Sequence, residues 1–280
     1  MSSTIVSTAA GTPIGRIVVV VDAVSEHRAA LDTAARLAAR WKAELHGVFV
    51  EDDELLRLAA LPFARQVSLS AGVEALTLQL AQRQLRAFAE TARRDLLAAA
   101  RRHQVEASFE VARGAAGADA LGVSPSDFIV SCTLTRPVGG YFRMECRACS
   151  AGSAGQGSVL LAHRPWGAAG SVAILLRDRE PGSVRLIEAA AGIAAAAGGE
   201  LTVVCPPGLA HSPGFDRWLA ERLAGRDVRV AVELAPVAPA ALMRRIVELN
   251  CRIVAIEAHA AEPGRLRDIA RIACDVLIVR

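Results

Sequence analysis

The chain repeats itself, and the repeat constrains its fold more than any single residue does. RIVVVVD at residues 16–22 recurs as VAILLRD at 172–178, an apolar run closed by Asp in both places. ELHGVFV at 44–50 recurs as ELTVVC at 200–205, at the same offset of 156 residues. Each half closes on a similar strand, SVLLAHR at 158–164 and DVLIVR at 275–280. The reading is two copies of one α/β unit, residues 14–165 and 170–280, joined by PWGAAG at 165–170, a turn-rich linker. At 280 residues, each copy is long enough to bury roughly two thirds of its unfolded surface.

Short β-branched runs alternate with longer helical patterns, which is the mark of βαβ units and a parallel sheet. Residues 17–21 are continuously apolar, as a strand covered on both faces requires. Further strands are expected at 45–50, 105–111, 128–132 and 159–162, and in the second copy at 172–176, 201–205, 228–234, 252–257 and 276–279. Ser25 is placed to cap a helix whose Ala30, Ala34, Leu37, Ala38 and Trp41 share one face. Ser183 is placed to start an Ala-rich helix that Gly198 and Gly199 stop. The copies differ between strands two and three: 61 residues separate Glu44 from Val105, but only 28 separate Glu200 from Val228. The surplus, an insert over 52–103, reads as an apolar helical piece ended by Pro62 and a long helix over 73–102. The arginines of that helix (83, 86, 93, 94, 101 and 102) are expected to face solvent.

Composition closes several doors. Apolar residues make up 52% of the chain and aromatics 4%, so the core is built from Ala, Val, Leu and Ile. A net charge of +3 is too small to call for nucleic acid, and Glu90 and Asp95 interrupt the one basic helix. Lys42 is the only lysine, which leaves Walker and Schiff-base chemistry without a candidate. No uncharged apolar run reaches the roughly 18–20 residues that span a bilayer, and residues 1–15 lack a secretory pattern. The chain is read as cytoplasmic, with neither membrane nor nucleic acid as partner, and its six cysteines as mostly reduced.

The strand VVVVD ending at Asp22, the helix through AARLA at 34–38 and the AELH entry at 43–46 resemble the universal stress proteins. The second copy resembles them more loosely. The resemblance implies an α/β fold of two tandem Rossmann-like domains, of the adenine nucleotide alpha hydrolase type. Each would be a five-stranded parallel sheet of order 3-2-1-4-5 with helices on both faces. It also implies an intramolecular pseudo-dimer paired through the last strands, 159–162 against 276–279, with a further homodimer open.

Some of these proteins bind ATP or another adenine nucleotide. The resemblance places an adenine-holding Asp at Asp22, a strand-two Val at Val50, and the second copy's counterpart at Asp178. The place is physically apt, because ligands of open α/β sheets sit beyond the carboxyl ends of the strands where strand order reverses. A strand-end Asp also serves as a helix cap or turn residue. Binders carry Gly-x2-Gly-x9-Gly-Ser/Thr after strand four, since glycine lets backbone N–H groups approach phosphate. Here the register puts Pro137, Gly140, Ser150 and Ala151 at those positions. Gly139, Gly140 and Ser150 are the phosphate candidates that remain. The acidic run 51–54 would repel a polyphosphate unless Mg2+ intervened, or it serves the next helix start. The overall expectation is no cofactor, with ATP or AMP with Mg as the alternative.

Cys132, Cys146 and Cys149 stand where the glycine motif should, and a C-x2-C pair can chelate a metal or close a disulfide. Cys205, Cys251 and Cys274 adjoin apolar strands and are read as core. No catalytic residue is assigned, because the His residues are scattered and no nucleophile elbow or metalloprotease motif is present. The leading expectation is a non-enzymatic stress or regulatory protein, an interaction module for a protein partner with degenerate nucleotide crevices. The alternatives are an adenine-nucleotide sensor in the first copy, and a thiol redox or metal switch at the cysteine pair.

Overall fold

A computed structural model describes residues 14–279 except 24–26, 52, 69–71, 114–121, 125, 132–134, 139–140, 145–157, 163–170, 236–243, 246–247 and 258–273. Its centre is one ten-stranded sheet. The first half supplies β1 (Arg16–Val21), β2 (Glu44–Glu51), β5 (Ala107–Arg113), β6 (Phe128–Ser131) and β9 (Ser158–Leu161). The second supplies β10 (Val172–Leu175), β11 (Glu200–Cys205), β12 (Arg229–Leu234), β13 (Ile253–Glu257) and β14 (Asp275–Val279). Across the sheet the order is β12-β11-β10-β13-β14-β9-β6-β1-β2-β5. Each half therefore has strand order 3-2-1-4-5, with all pairs inside a half parallel. The halves meet at β14 and β9, which run antiparallel with Leu277 opposite Leu160.

Both faces are buried along the central strands, whose residues divide between them by simple alternation, while the edge strands β5 and β12 are partly exposed. Ile17, Val19 and Val21 face a core that runs without a break into Ile174, Val203, Ile253 and Leu277 of the second half. Val18, Val20, Val48 and Val50 face the opposite way, with Val159, Val254, Val276 and Ile278. The first core is covered by α1 (Arg28–Trp41), α4 (Pro181–Ala197) and α3 (Leu78–His103). These helices present mostly alanine to the sheet, which lets them lie close to a surface of β-branched residues. Trp41 at the end of α1 meets Phe128 edge-on at 5.0 Å and also reaches Gly192 of α4, where an added Cβ would lie 3.9 Å from the indole. The first-half helix is thus packed on the second-half helix.

Helix ends differ in part from expectation. The residue before α1 is His27, which makes no side-chain cap bond, and Ser25 lies outside the described residues. α4 starts after Glu180, two residues before Ser183, so Ser183 is not its cap but a fully buried residue of its first turn. Gly198 and Gly199 do end it, both at positive φ. α3 is capped by Thr77, whose hydroxyl accepts from Leu80 N at 3.2 Å.

The insert holds the main departure. The helical pattern read over 73–102 begins only at Leu78, because residues 72–75 form β4 (Gly72–Ala75), paired antiparallel with β3 (Arg65–Ser68). Gly72, at φ 73°, supplies a left-handed residue that a β-branched side chain would resist. α2 (Asp53–Ala59) ends before Pro62 is reached. A small cluster of Ala59, Ala64, Leu76 and Ala81, with Leu55 and Leu56 against it, fixes this unit to α3. The six arginines expected to be solvated are all exposed, and Arg102 also pairs with Asp32 at 3.5 Å. A second hairpin, β7 (Thr135–Val138) and β8 (Tyr141–Met144), follows β6. In the second half, α5 (Pro207–Ala210) and α6 (Phe215–Leu223) follow β11.

Candidate functional site

The strand order reverses beside β1 in the first half and beside β10 in the second, and an open α/β sheet takes its ligands at the carboxyl strand ends of such a switch point. In the first half, β1 and β2 run in parallel register with Val21 opposite Phe49. Continuing that register by one residue sets Asp22 beside Val50, so these two candidates are neighbours at the rim. Val50 is buried and Asp22 half-buried. Glu51 is also buried, and Arg113 donates to it through Nε at 2.8 Å. The acidic run that begins at Glu51 therefore has its first charge met by the third strand, and Asp53 is the first residue of α2.

The stretch after β6 was expected to hold what remains of a phosphate loop. Pro137, at the first glycine position of the motif, lies in β7 opposite Phe142 of β8, so a hairpin occupies this part of the chain. Gly139, Gly140, Ser150, Cys132, Cys146 and Cys149 lie outside the described residues. Among the described residues, no group of three or more His, Cys, Asp or Glu is placed to hold a metal. None of the described helices is long and apolar enough to cross a membrane.

The second crevice is better defined. Asp178 lies just beyond β10 and accepts from Glu180 N at 2.9 Å, a turn that leads into α4. The Ser183 hydroxyl lies 2.7 Å from Asp178 Oδ1 and 2.7 Å from Glu257 Oε1 at the end of β13. A hydroxyl has a single proton, so it donates to one carboxylate at a time. Gly182 allows this approach: a Cβ there would lie 3.3 Å from the Glu257 carboxyl carbon. Asp178 and Glu257, the strand-one and strand-four ends that flank the switch point, are thus joined through a side chain of α4.

Beside this cluster, Arg179 turns to the segment around the start of α6. Its guanidinium donates to Pro213 O at 3.2 Å and to the Ser212 hydroxyl, and its carbon lies 5.6 Å from the ring centres of both Phe215 and Trp218. Such cation–π contacts contribute on the order of 0.5–2 kcal/mol. Arg179 is thereby tied to Ser212, Pro213 and the aromatic residues of α6. Sequence reading named Asp178 but missed Ser183, Glu257 and Arg179 as its company. The available signal was that strands one and four of this half both end in a carboxylate.

The ten-strand order also decides which solved structures the chain resembles. A universal stress protein from Archaeoglobus fulgidus superposes with a TM-score of 0.63 at 12% identity, covering 95% of this chain and 96% of that one. The fold is that of the universal stress proteins. A structure named for the same family from Pseudomonas aeruginosa gives a TM-score of 0.58 at 17% identity, covering 94% and 92%. A protein of unknown function from Pseudomonas aeruginosa gives 0.57 at 16%, with the same coverage. No family model and no curated relative matches the sequence. The likeness of fold extends over both halves of the chain, 95% and 94% of it in the first two comparisons.

Proposed function

We propose that the chain is a non-enzymatic regulatory protein of the universal stress type, acting in the cytoplasm through a protein partner, and built of two units, 14–165 and 170–280. The observation that carries this reading is the uncovered apolar face of the β3–β4 hairpin. In the hairpin, Gln66 is directed to α3, where it accepts from Gln84 at 3.3 Å. Alternation then turns Arg65, Val67, Val73 and Ala75 outward, and all four are exposed. Val67 is 81% exposed, Val73 59%, and nearby Phe63 74%. Leu58, Leu61 and Phe88 of the same insert are exposed as well.

Single exposed apolar residues are ordinary, whereas a cluster of them on a two-stranded hairpin marks a contact surface. Among the described residues from 55 to 88, the exposed charges are Arg57, Arg65, Arg83 and Arg86 against Glu74. The partner surface that fits is therefore apolar with an acidic rim. The second crevice supports a role without nucleotide, since Asp178, Glu257 and Arg179 are engaged with the chain's own groups.

The test places a photocrosslinking residue at position 67 in the cells that make the protein. One discrete protein adduct is expected, reproduced with the purified partner and abolished by Val73→Asp in a chain whose circular dichroism is unchanged. Adducts spread over many proteins, or unaffected by Val73→Asp, overturn the reading. A second reading, an adenine-nucleotide sensor using Mg2+ in the first half, is favoured by the adjacency of Asp22 and Val50. It wins if calorimetry with ATP or AMP gives heat that Asp22→Ala removes.

A further inference from the structure

Two of the cysteines read as plain core residues lie together. Cys251 immediately precedes Arg252 and β13; Cys274 immediately precedes β14. These strands are parallel neighbours with Ile253 opposite Asp275. The pairing continues before the strands, because Asp275 N donates to Arg252 O at 2.8 Å. Cys274 is thereby set opposite Arg252, one step along the chain from Cys251. In a regular strand a one-step offset would turn the two side chains to opposite faces, but Cys251 precedes the strand, next to the bend at Arg252, and leaves that alternation.

Both side chains belong to the same apolar cluster, with Val254, Ile256, Val276 and Ile278, so they lie on one face of the sheet. Cys251 is 5% exposed and Cys274 1%, which admits a small oxidant and excludes a protein thiol. The two sulfurs share a hydrogen bond, and that bond is the chief cause that holds the Cys251 thiol below its ordinary range, with burial working against it. Cys205 has only burial acting on it, which pushes its thiol up. The thiolate is the reactive form, so Cys251 is the more nucleophilic of these two.

We propose that Cys251 and Cys274 form an oxidisable dithiol that closes to a disulfide when the protein meets hydrogen peroxide. The Cys251 thiolate attacks one peroxide oxygen, the O–O bond breaks, and protonated hydroxide leaves as water. The Cys274 sulfur then attacks the sulfenic sulfur, the S–O bond breaks, and a second water leaves as the S–S bond forms. Two thiols are oxidised and one peroxide is reduced to two waters. The bond ties the amino ends of β13, which carries Glu257 of the crevice, and β14, which pairs with the first half.

The test uses the full chain, exposed to graded hydrogen peroxide, alkylated in denaturant and digested with trypsin. Cys251 falls in peptide 246–252 and Cys274 in peptide 272–280. The expected result is a linked pair of these peptides that grows with peroxide and disappears on reduction, while Cys205 remains alkylated. In Cys274→Ala, with an unchanged circular dichroism spectrum, the link is lost and Cys251 is recovered as sulfenic or sulfinic acid. The proposal fails if both cysteines of the wild-type chain are recovered as alkylated thiols at peroxide levels that modify other cysteines. It also fails if either is linked instead to Cys132, Cys146 or Cys149.

Discussion

Replacing Ser183 by alanine tests the second crevice directly. The change removes one oxygen from a fully buried site and adds nothing, so its cavity component is small. What is lost is a hydroxyl placed 2.7 Å from two carboxylate oxygens, of which its single proton can serve one at a time. A hydrogen bond to a charged acceptor is worth about 1.5–3 kcal/mol. Asp178 keeps the Glu180 N–H, which limits the loss on that side. Alanine returns up to roughly 0.5 kcal/mol through its helix propensity. The net expectation is a destabilisation of about 1–2.5 kcal/mol, a roughly 5- to 70-fold fall in the folding constant. Urea unfolding followed by circular dichroism should show a lower midpoint with an unchanged slope. A cycle with Glu257→Gln should show coupling above about 0.5 kcal/mol. A Ser183→Ala midpoint equal to wild type, or additive single and double variants, would refute the argument that this hydroxyl holds the two strand ends together.

Other expectations follow from the same geometry. Gly47→Ala would set a Cβ 2.6 Å from Leu96 Cδ2 and 2.9 Å from Phe109 Cδ2, and overpacking of this kind costs about 1–3 kcal/mol, measurable by urea unfolding. Arg16 holds the buried Asp127 through Nε at 3.1 Å and through a second nitrogen, and Ser124 N also donates to it at 2.6 Å. Arg16→Ala is therefore expected to cost about 1–3 kcal/mol, with Arg16→Lys recovering only part of it, since lysine cannot form the forked contact. Asp178→Ala should leave ATP and AMP titrations as flat as those of wild type when heat is measured with and without Mg2+. A nucleotide signal that this variant removes would show an open second crevice. Thr77→Ala should lower stability by about 0.5–2 kcal/mol through loss of the α3 cap, seen as a reduced urea midpoint.

Strand positions were legible because they depend on near-neighbour pattern. Residues 17–21 read as a doubly buried strand and are one, with Ile17 and Val18 in opposite cores. The glycines at 198 and 199 are legible as a helix end because they take left-handed backbone without a Cβ penalty, which is a local property. The insert departs from its pattern for the complementary reason: residues 73–75 continue the apolar spacing of the following helix, but Gly72 and the pairing with β3 draw them into a hairpin. Ser183 reads as a cap because its residue type suits one, whereas its partner Glu257 lies 74 residues away, beyond any local signal.

By itself the sequence determined the strands, the burial of the Ala- and Val-rich faces and the place of Asp22, Val50 and Asp178 at strand ends. These follow from side-chain period and turn chemistry within a few residues. Only the tertiary structure decided how β9 and β14 meet, that α1 packs on α4 through Trp41 and Gly192, and that Asp178 faces Ser183 and Glu257. It alone brought Cys251 and Cys274, 23 positions apart along the chain, to adjacent strand starts. Such contacts depend on strand order and register, which are set by packing over the whole sheet and leave no mark at either residue alone.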